Sequence, residues 1–156
     1  MFVGYMELTS PAPANDLLLS EFAAAHAGAR IFVAGYPGGR ILLSVSPGRH
    51  YVCFDGDMPG TLILDIYAEM KAAGLLNAPM SQLADYTRFS GVIDWGLIAD
   101  LDHLKPWGEY PPSKVAFLMS KDDASYILKV TSVQFPNIEQ KLFTTMFAAL
   151  TWLGWD

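Results

Sequence analysis

Two hydrophobic periods alternate along most of this chain. Ile41–Val45 and Tyr51–Phe54 are short runs of β-forming residues on either side of Ser46-Pro47-Gly48-Arg49-His50, a spacer of the length that joins hairpin strands. After Asp57 and Thr61, either of which can cap, the spacing becomes helical. Leu62, Ile66, Met70 and Ala73 form one stripe, Asp65, Glu69 and Lys71 fall outside it, and Gly74 closes the element. Gln82–Tyr86 is short and weakly periodic, but lies where a βαβ unit places its next strand. From Asp94, the positions Leu97, Ile98, Leu101 and Leu104 share one helical face, and Pro106 stops the helix. Val115–Met119 is a continuous apolar run, as expected for a strand covered on both faces. Ser120-Lys121-Asp122-Asp123 fits a reciprocal capping pattern and predicts a helix to about Val133, with Tyr126, Ile127, Val130 and Val133 as its stripe. Pro136-Asn137 predicts a turn, Lys141–Thr144 a strand, and Thr145 caps a final helix over Met146–Trp155 that is apolar nearly all round.

Upstream of Ile41 the pattern is weaker. Ser10-Pro11-Ala12-Pro13 is turn-rich, Asn15 or Asp16 can cap a helix ending at Gly28, and Ile31–Ala34 has the character of a short strand. Gly35-Tyr36-Pro37-Gly38-Gly39-Arg40 lacks a Walker lysine and the G-x-G-x-x-G spacing, so it reads as a turn. The expected organisation is an N-terminal extension over residues 1–40, with a helix at 15–27, and a domain over 41–156. Strands alternating with helices behind a hairpin predict a single-domain α/β fold with a mixed, mostly parallel sheet.

Composition narrows the function. A chain of 156 residues with 52% hydrophobic and 17% charged residues is expected to build one core. Net charge is −6 and no run of Lys or Arg occurs, so neither nucleic acid nor an anionic membrane surface is an expected partner. Glu21, His26 and Arg30 interrupt the most apolar window, Leu17–Ala34, against membrane insertion, and the N-terminus lacks the basic start of a secretory signal. The expectation is a cytoplasmic protein. Cys53, in the run Tyr51-Val52-Cys53-Phe54, reads as a buried inert thiol.

Candidate chemistry is sparse. His26, His50 and His103 have no metal-ligand spacing, Asp102 and His103 diverge on a helix, and no Gly-x-Ser-x-Gly elbow surrounds Ser90. No cofactor or metal is expected, and a binding role is favoured over an enzyme. Aromatic residues make up 13%, and Trp95, Trp107, Trp152 and Trp155 with Tyr86, Phe89 and Phe117 are candidates for a pocket or a dimer interface. A homodimer, a protein partner or a small apolar or lipid-like ligand would each use that surface.

The junction Asp85-Tyr86-Thr87-Arg88-Phe89-Ser90-Gly91-Val92-Ile93-Asp94-Trp95 passes from strand to helix. Free backbone N–H groups at a helix start favour docking there, so Arg88, Phe89, Ser90, Gly91, Asp94 and Trp95 are the candidate contact residues. That junction, Lys114-Val115-Ala116-Phe117, and Ala149-Leu150-Thr151-Trp152-Leu153, taken in order, resemble the STAS domain family, in particular its bacterial SpoIIAA-like branch related to anti-sigma factor antagonists. The resemblance covers roughly residues 41–156. It implies helices packed chiefly on one face of the sheet and a non-catalytic role in regulation or protein interaction. It also implies a phosphorylatable serine at this junction, where Ser90-Gly91 stands; the family's usual Asp-Ser-Ser-Gly is here Arg88-Phe89-Ser90-Gly91.

Overall fold

Pro47-Gly48 closes the hairpin on which the sheet is built. In the computed structural model, which describes residues 4–59, 62–74, 80–91, 113–119, 132–133 and 135–155, β3 (Gly38–Ser46) and β4 (Arg49–Asp57) pair antiparallel along their whole lengths. Gly48, at φ +76°, supplies the left-handed residue that so tight a connection needs. Both strands are longer than the apolar runs that announced them, because Arg49 and His50 belong to β4 and Gly38–Arg40 to β3.

β2 (Arg30–Tyr36) pairs antiparallel with β3 through the turn at Pro37, and β1 (Tyr5–Glu7) adds a short edge beside β2. On the other side of β4 lie β5 (Ser81–Phe89), β6 (Lys114–Leu118) and β7 (Glu139–Phe143), each parallel to its neighbour. The result is a seven-stranded sheet in sequential order, β1 to β7. Three of its pairings are antiparallel and three parallel, so the sheet is mixed as expected but no more than half parallel. The additional antiparallel strands come from residues 5–36, which are bonded into the same sheet. A three-residue strand such as β1 is too short to leave a period in the sequence.

Alternation along the strands sends side chains to two cores. On one face Phe32, Ile41, Val52, Phe54 and Val115 meet Leu62, Ile66 and Met70 of α2 (Leu62–Ala72). The stripe of α2 stops there, since Ala73 lies beyond the helix and is exposed. On the other face Ile31, Leu42, Tyr51, Leu83 and Leu118 meet Leu19 and Phe22 of α1 (Leu17–Ala25) and Ala149 and Leu153 of α3 (Met146–Leu153). Two of the three described helices therefore share a face.

β6 is buried from Val115 to Leu118, one core taking Val115 and Phe117 and the other Ala116 and Leu118, which is why its sequence shows no alternation. The helix starts fall where short polar side chains stand. Asp16 accepts from Leu19 N at 3.2 Å to cap α1, and Thr145 Oγ1 accepts from Ala148 N at 3.3 Å to cap α3. Gly154 closes α3 at φ +74°. Val133, expected in a buried stripe, is 82% exposed. The helices expected to start near Asp94 and Ser120 fall at 92–112 and 120–131, outside the described residues.

Candidate functional site

Asp85 organises the middle of β5. Pairing with β4 runs Cys53↔Asp85 and resumes at Asp55↔Arg88, so β5 carries one extra residue there. The Asp85 carboxylate, on a buried residue, accepts from Thr87 N at 2.9 Å, from Thr87 Oγ1 at 2.6 Å and from Tyr51 Oη at 3.1 Å. These bonds hold the bulge. They also spread the carboxylate's charge over three donors, which is what lets it sit inside the protein.

The extra residue decides which way the following side chains point. Phe89 joins Tyr86 on the α2 face, edge-on at 5.4 Å, and both meet Phe54, stacked on Tyr86 at 4.1 Å. Arg88 and Ser90 are left exposed. Ser90 N donates to Gly56 O at 2.9 Å. Gly91 is pressed against β4's continuation so closely that a Cβ there would lie 1.9 Å from Met58 O. Gly56, at φ +95°, bends the backbone that receives both contacts. Arg88 and Phe89 thus end β5 and Ser90 and Gly91 follow as a braced exit from it, while Asp94 and Trp95 lie outside the described residues.

A second polar concentration lies toward the opposite end of the sheet, on the other face. A cleft of about 430 Å³ opens between the C-terminal ends of α1 and α3, lined by His26, Ser44, Ser46, Arg49, Tyr51, Leu150 and Trp155 together with the 25–29 turn. Register explains the floor: Ser44 stands opposite Tyr51, and Ser46 opposite Arg49. His26 packs its ring 4.6 Å from Phe22 and 4.6 Å from Tyr51. Trp155 is fixed by donating from Nε1 to Ser81 Oγ at 2.8 Å, and the Arg49 guanidinium lies 5.6 Å over its ring.

Burial sets the protonation states in this region. It pushes the Tyr51 phenol well above the usual range, with the Asp85 carboxylate adding to the effect, so Tyr51 remains a donor. Burial, reinforced by Asp85 and Asp55, raises the Cys53 thiol to about 12, which makes it an inert apolar side chain at neutral pH. His26 is lowered by burial. His50, which faces α2's side of the sheet and is 3% exposed, is lowered by burial to about 4, and its Nδ1 has no hydrogen-bond partner. Among the described residues no cluster of His, Cys, Asp or Glu could hold a metal ion.

Of the cleft residues, Trp155 alone was a candidate from the sequence, as one of seven aromatics suited to a pocket or a dimer interface. Tyr51 and Ser44 sit in ordinary strand alternation, and Ser46 and Arg49 lay in or beside an apparent turn. The signal that joins them is pairing register and helix packing, which no local window contains.

No known family profile matches this sequence, and no curated protein matches it. Among solved structures, it is similar to an uncharacterized protein from the DUF3478 family with a SpoIIAA-like fold from Shewanella loihica PV-4. The two are 22% identical, with 76% of this chain and 96% of that chain covered and a TM-score of 0.47. Among the described residues no helix is long and apolar enough to cross a membrane.

Proposed function

We propose that this chain is a non-catalytic regulatory or protein-interaction module that offers the Arg88–Gly91 segment at the end of β5, with Asp94 and Trp95 following it in sequence, to a protein partner. The observation that carries this reading is the bracing of this segment: Ser90 N on Gly56 O at 2.9 Å and Gly91 against the Met58 backbone, with Arg88 and Ser90 left exposed. A segment held this way loses little conformational freedom on binding, which lowers the cost of association. Phosphorylation of Ser90 would place a dianion beside Arg88, so modification and partner choice would act at one spot.

The test is affinity capture from the native host at native expression, comparing wild type with Arg88→Ala and Ser90→Asp. A partner whose recovery changes in these variants while thermal stability does not is the expected result. Recovery of the same proteins in equal amounts by all three would overturn the reading.

A second reading, a small-ligand-binding protein, is supported by the cleft between α1 and α3, whose volume of about 430 Å³ lies within the range of small-molecule sites.

A further inference from the structure

We propose that the cleft between α1 and α3 takes a small amphiphilic carboxylate, its apolar body against His26, Tyr51 and Trp155 and its head at Arg49 and Ser44; this rests on the small-ligand reading and names the ligand's class. Charge is the first reason. The protein carries a net −6, yet the described residues lining the cleft include no Asp or Glu, and Arg49 is their cation. The described ion pairs are Arg30 with Glu7 and Arg40 with Asp16 and Asp55, so Arg49 is left without a carboxylate partner among the described residues.

Its posture suits the task. The guanidinium carbon lies 5.6 Å from the Trp155 ring centroid, and a guanidinium without a carboxylate partner can bind a carboxylate through two parallel N–H bonds. The indole is itself anchored through Ser81, so that wall of the cleft is positioned before any ligand arrives.

Ser44 is the second, independent reason. It is 4% exposed as a residue and lines the cleft, and its hydroxyl, which makes no hydrogen bond to a described residue, is a polar group that the floor offers to a ligand. An acceptor oxygen in the cleft would satisfy it. The neighbouring Tyr51 hydroxyl cannot serve the head, because it is committed to Asp85 at 3.1 Å; the Tyr51 ring is what the cleft receives. Ala25, Ala27 and Ala29 complete an apolar rim around the rings.

Calorimetric titration of the full chain with naphthoate, and with the uncharged isostere naphthamide, tests the assignment. The expected result is saturable one-to-one binding of naphthoate, about tenfold or more tighter than naphthamide. Arg49→Gln should bring naphthoate down to the level of the amide, and Ala25→Trp at the exposed rim should abolish both. Equal affinity for acid and amide, unchanged by Arg49→Gln, would overturn the carboxylate class while leaving a ligand cleft in place. No saturable binding of either compound, or binding indifferent to Ala25→Trp, would overturn the cleft as a ligand site altogether.

Discussion

The hydroxyl of Tyr51 in β4 donates to the buried carboxylate of Asp85 in β5 at 3.1 Å, tying together two neighbouring strands at the point where their register slips. Tyr51→Phe keeps the ring packing against Phe22 and His26 but removes one of the carboxylate's donors. A loss of about 1–3 kcal/mol is expected, the usual cost of leaving a buried acceptor short of a partner. Urea denaturation measures it, and a double-mutant cycle with Asp85→Leu isolates the pair. A coupling energy near zero would mean that the bond contributes nothing.

Gly91→Ala is expected to destabilise the protein by at least about 2 kcal/mol, because the added methyl meets backbone that cannot rotate away. The Cβ would lie 1.9 Å from Met58 O and 2.7 Å from Met58 N. Gly35→Ala serves as the control: nothing lies within 4 Å of its Cβ, and a change within about 0.5 kcal/mol is expected. Differential scanning calorimetry of the two variants decides between a close approach and a general intolerance of substitution.

His50 predicts a pH dependence. Burial lowers it from 6.5 to about 4 in the folded protein, so between those values the unfolded chain binds a proton that the folded chain does not. Stability is therefore complete above pH 6.5 and falls as pH drops towards 4, by roughly 3 kcal/mol over the window. The difference between wild type and His50→Leu, followed by urea denaturation, should trace that loss. Leu also removes the unpartnered Nδ1, so at neutral pH the variant should be at least as stable as wild type.

Asp16 joins the start of α1 to the sheet. It caps the helix and receives Arg40 through a two-pronged contact, Nη2 to Oδ1 at 2.8 Å, while Arg40 Nε also reaches Asp55 at 3.2 Å. The Arg40 hydrogen bonds, aided by the Leu19 N–H, hold the Asp16 carboxyl down to about 2 from 3.8. Asp16→Ala should cost about 1 kcal/mol through the cap alone. The stability gap between wild type and variant should be constant above pH 4 and close as pH falls through about 2, since a depressed carboxylate stabilises only while ionised. Thermal denaturation at pH 6, 4 and 2.5 checks both magnitude and sign.

Phe147, on the first turn of α3, is 81% exposed. Phe147→Ser should change stability by no more than about 0.5 kcal/mol. If two copies of the chain meet through this helix, the same variant should lower the mass observed by sedimentation, and an unchanged mass would exclude Phe147 from such an interface.

Much of the scaffold was legible because it is written at short range. The Ile41–Val45 and Tyr51–Phe54 runs, the Leu62-Ile66-Met70 stripe, the unbroken Val115–Leu118 strand and the caps at Asp16 and Thr145 each state their structure within a few residues. The segment at 5–36 was less legible. Arg30–Tyr36 includes Gly35, and Tyr5–Glu7 is too short to show a period, so neither announced its place in the sheet.

By itself, then, the sequence determined the α/β class, the position of the hairpin, and the starts of α1 and α3, since all of these follow from local period and capping chemistry. Only the tertiary structure decided that Asp85 is shared by Tyr51 and Thr87, that Gly91 lies against Met58, and that His26, Ser44, Arg49 and Trp155 enclose one cleft. Apart from the local Asp85–Thr87 bonds, those contacts gather residues from separate elements, and it is the register of β4 with its neighbours and the docking of two helices on one face that bring them together.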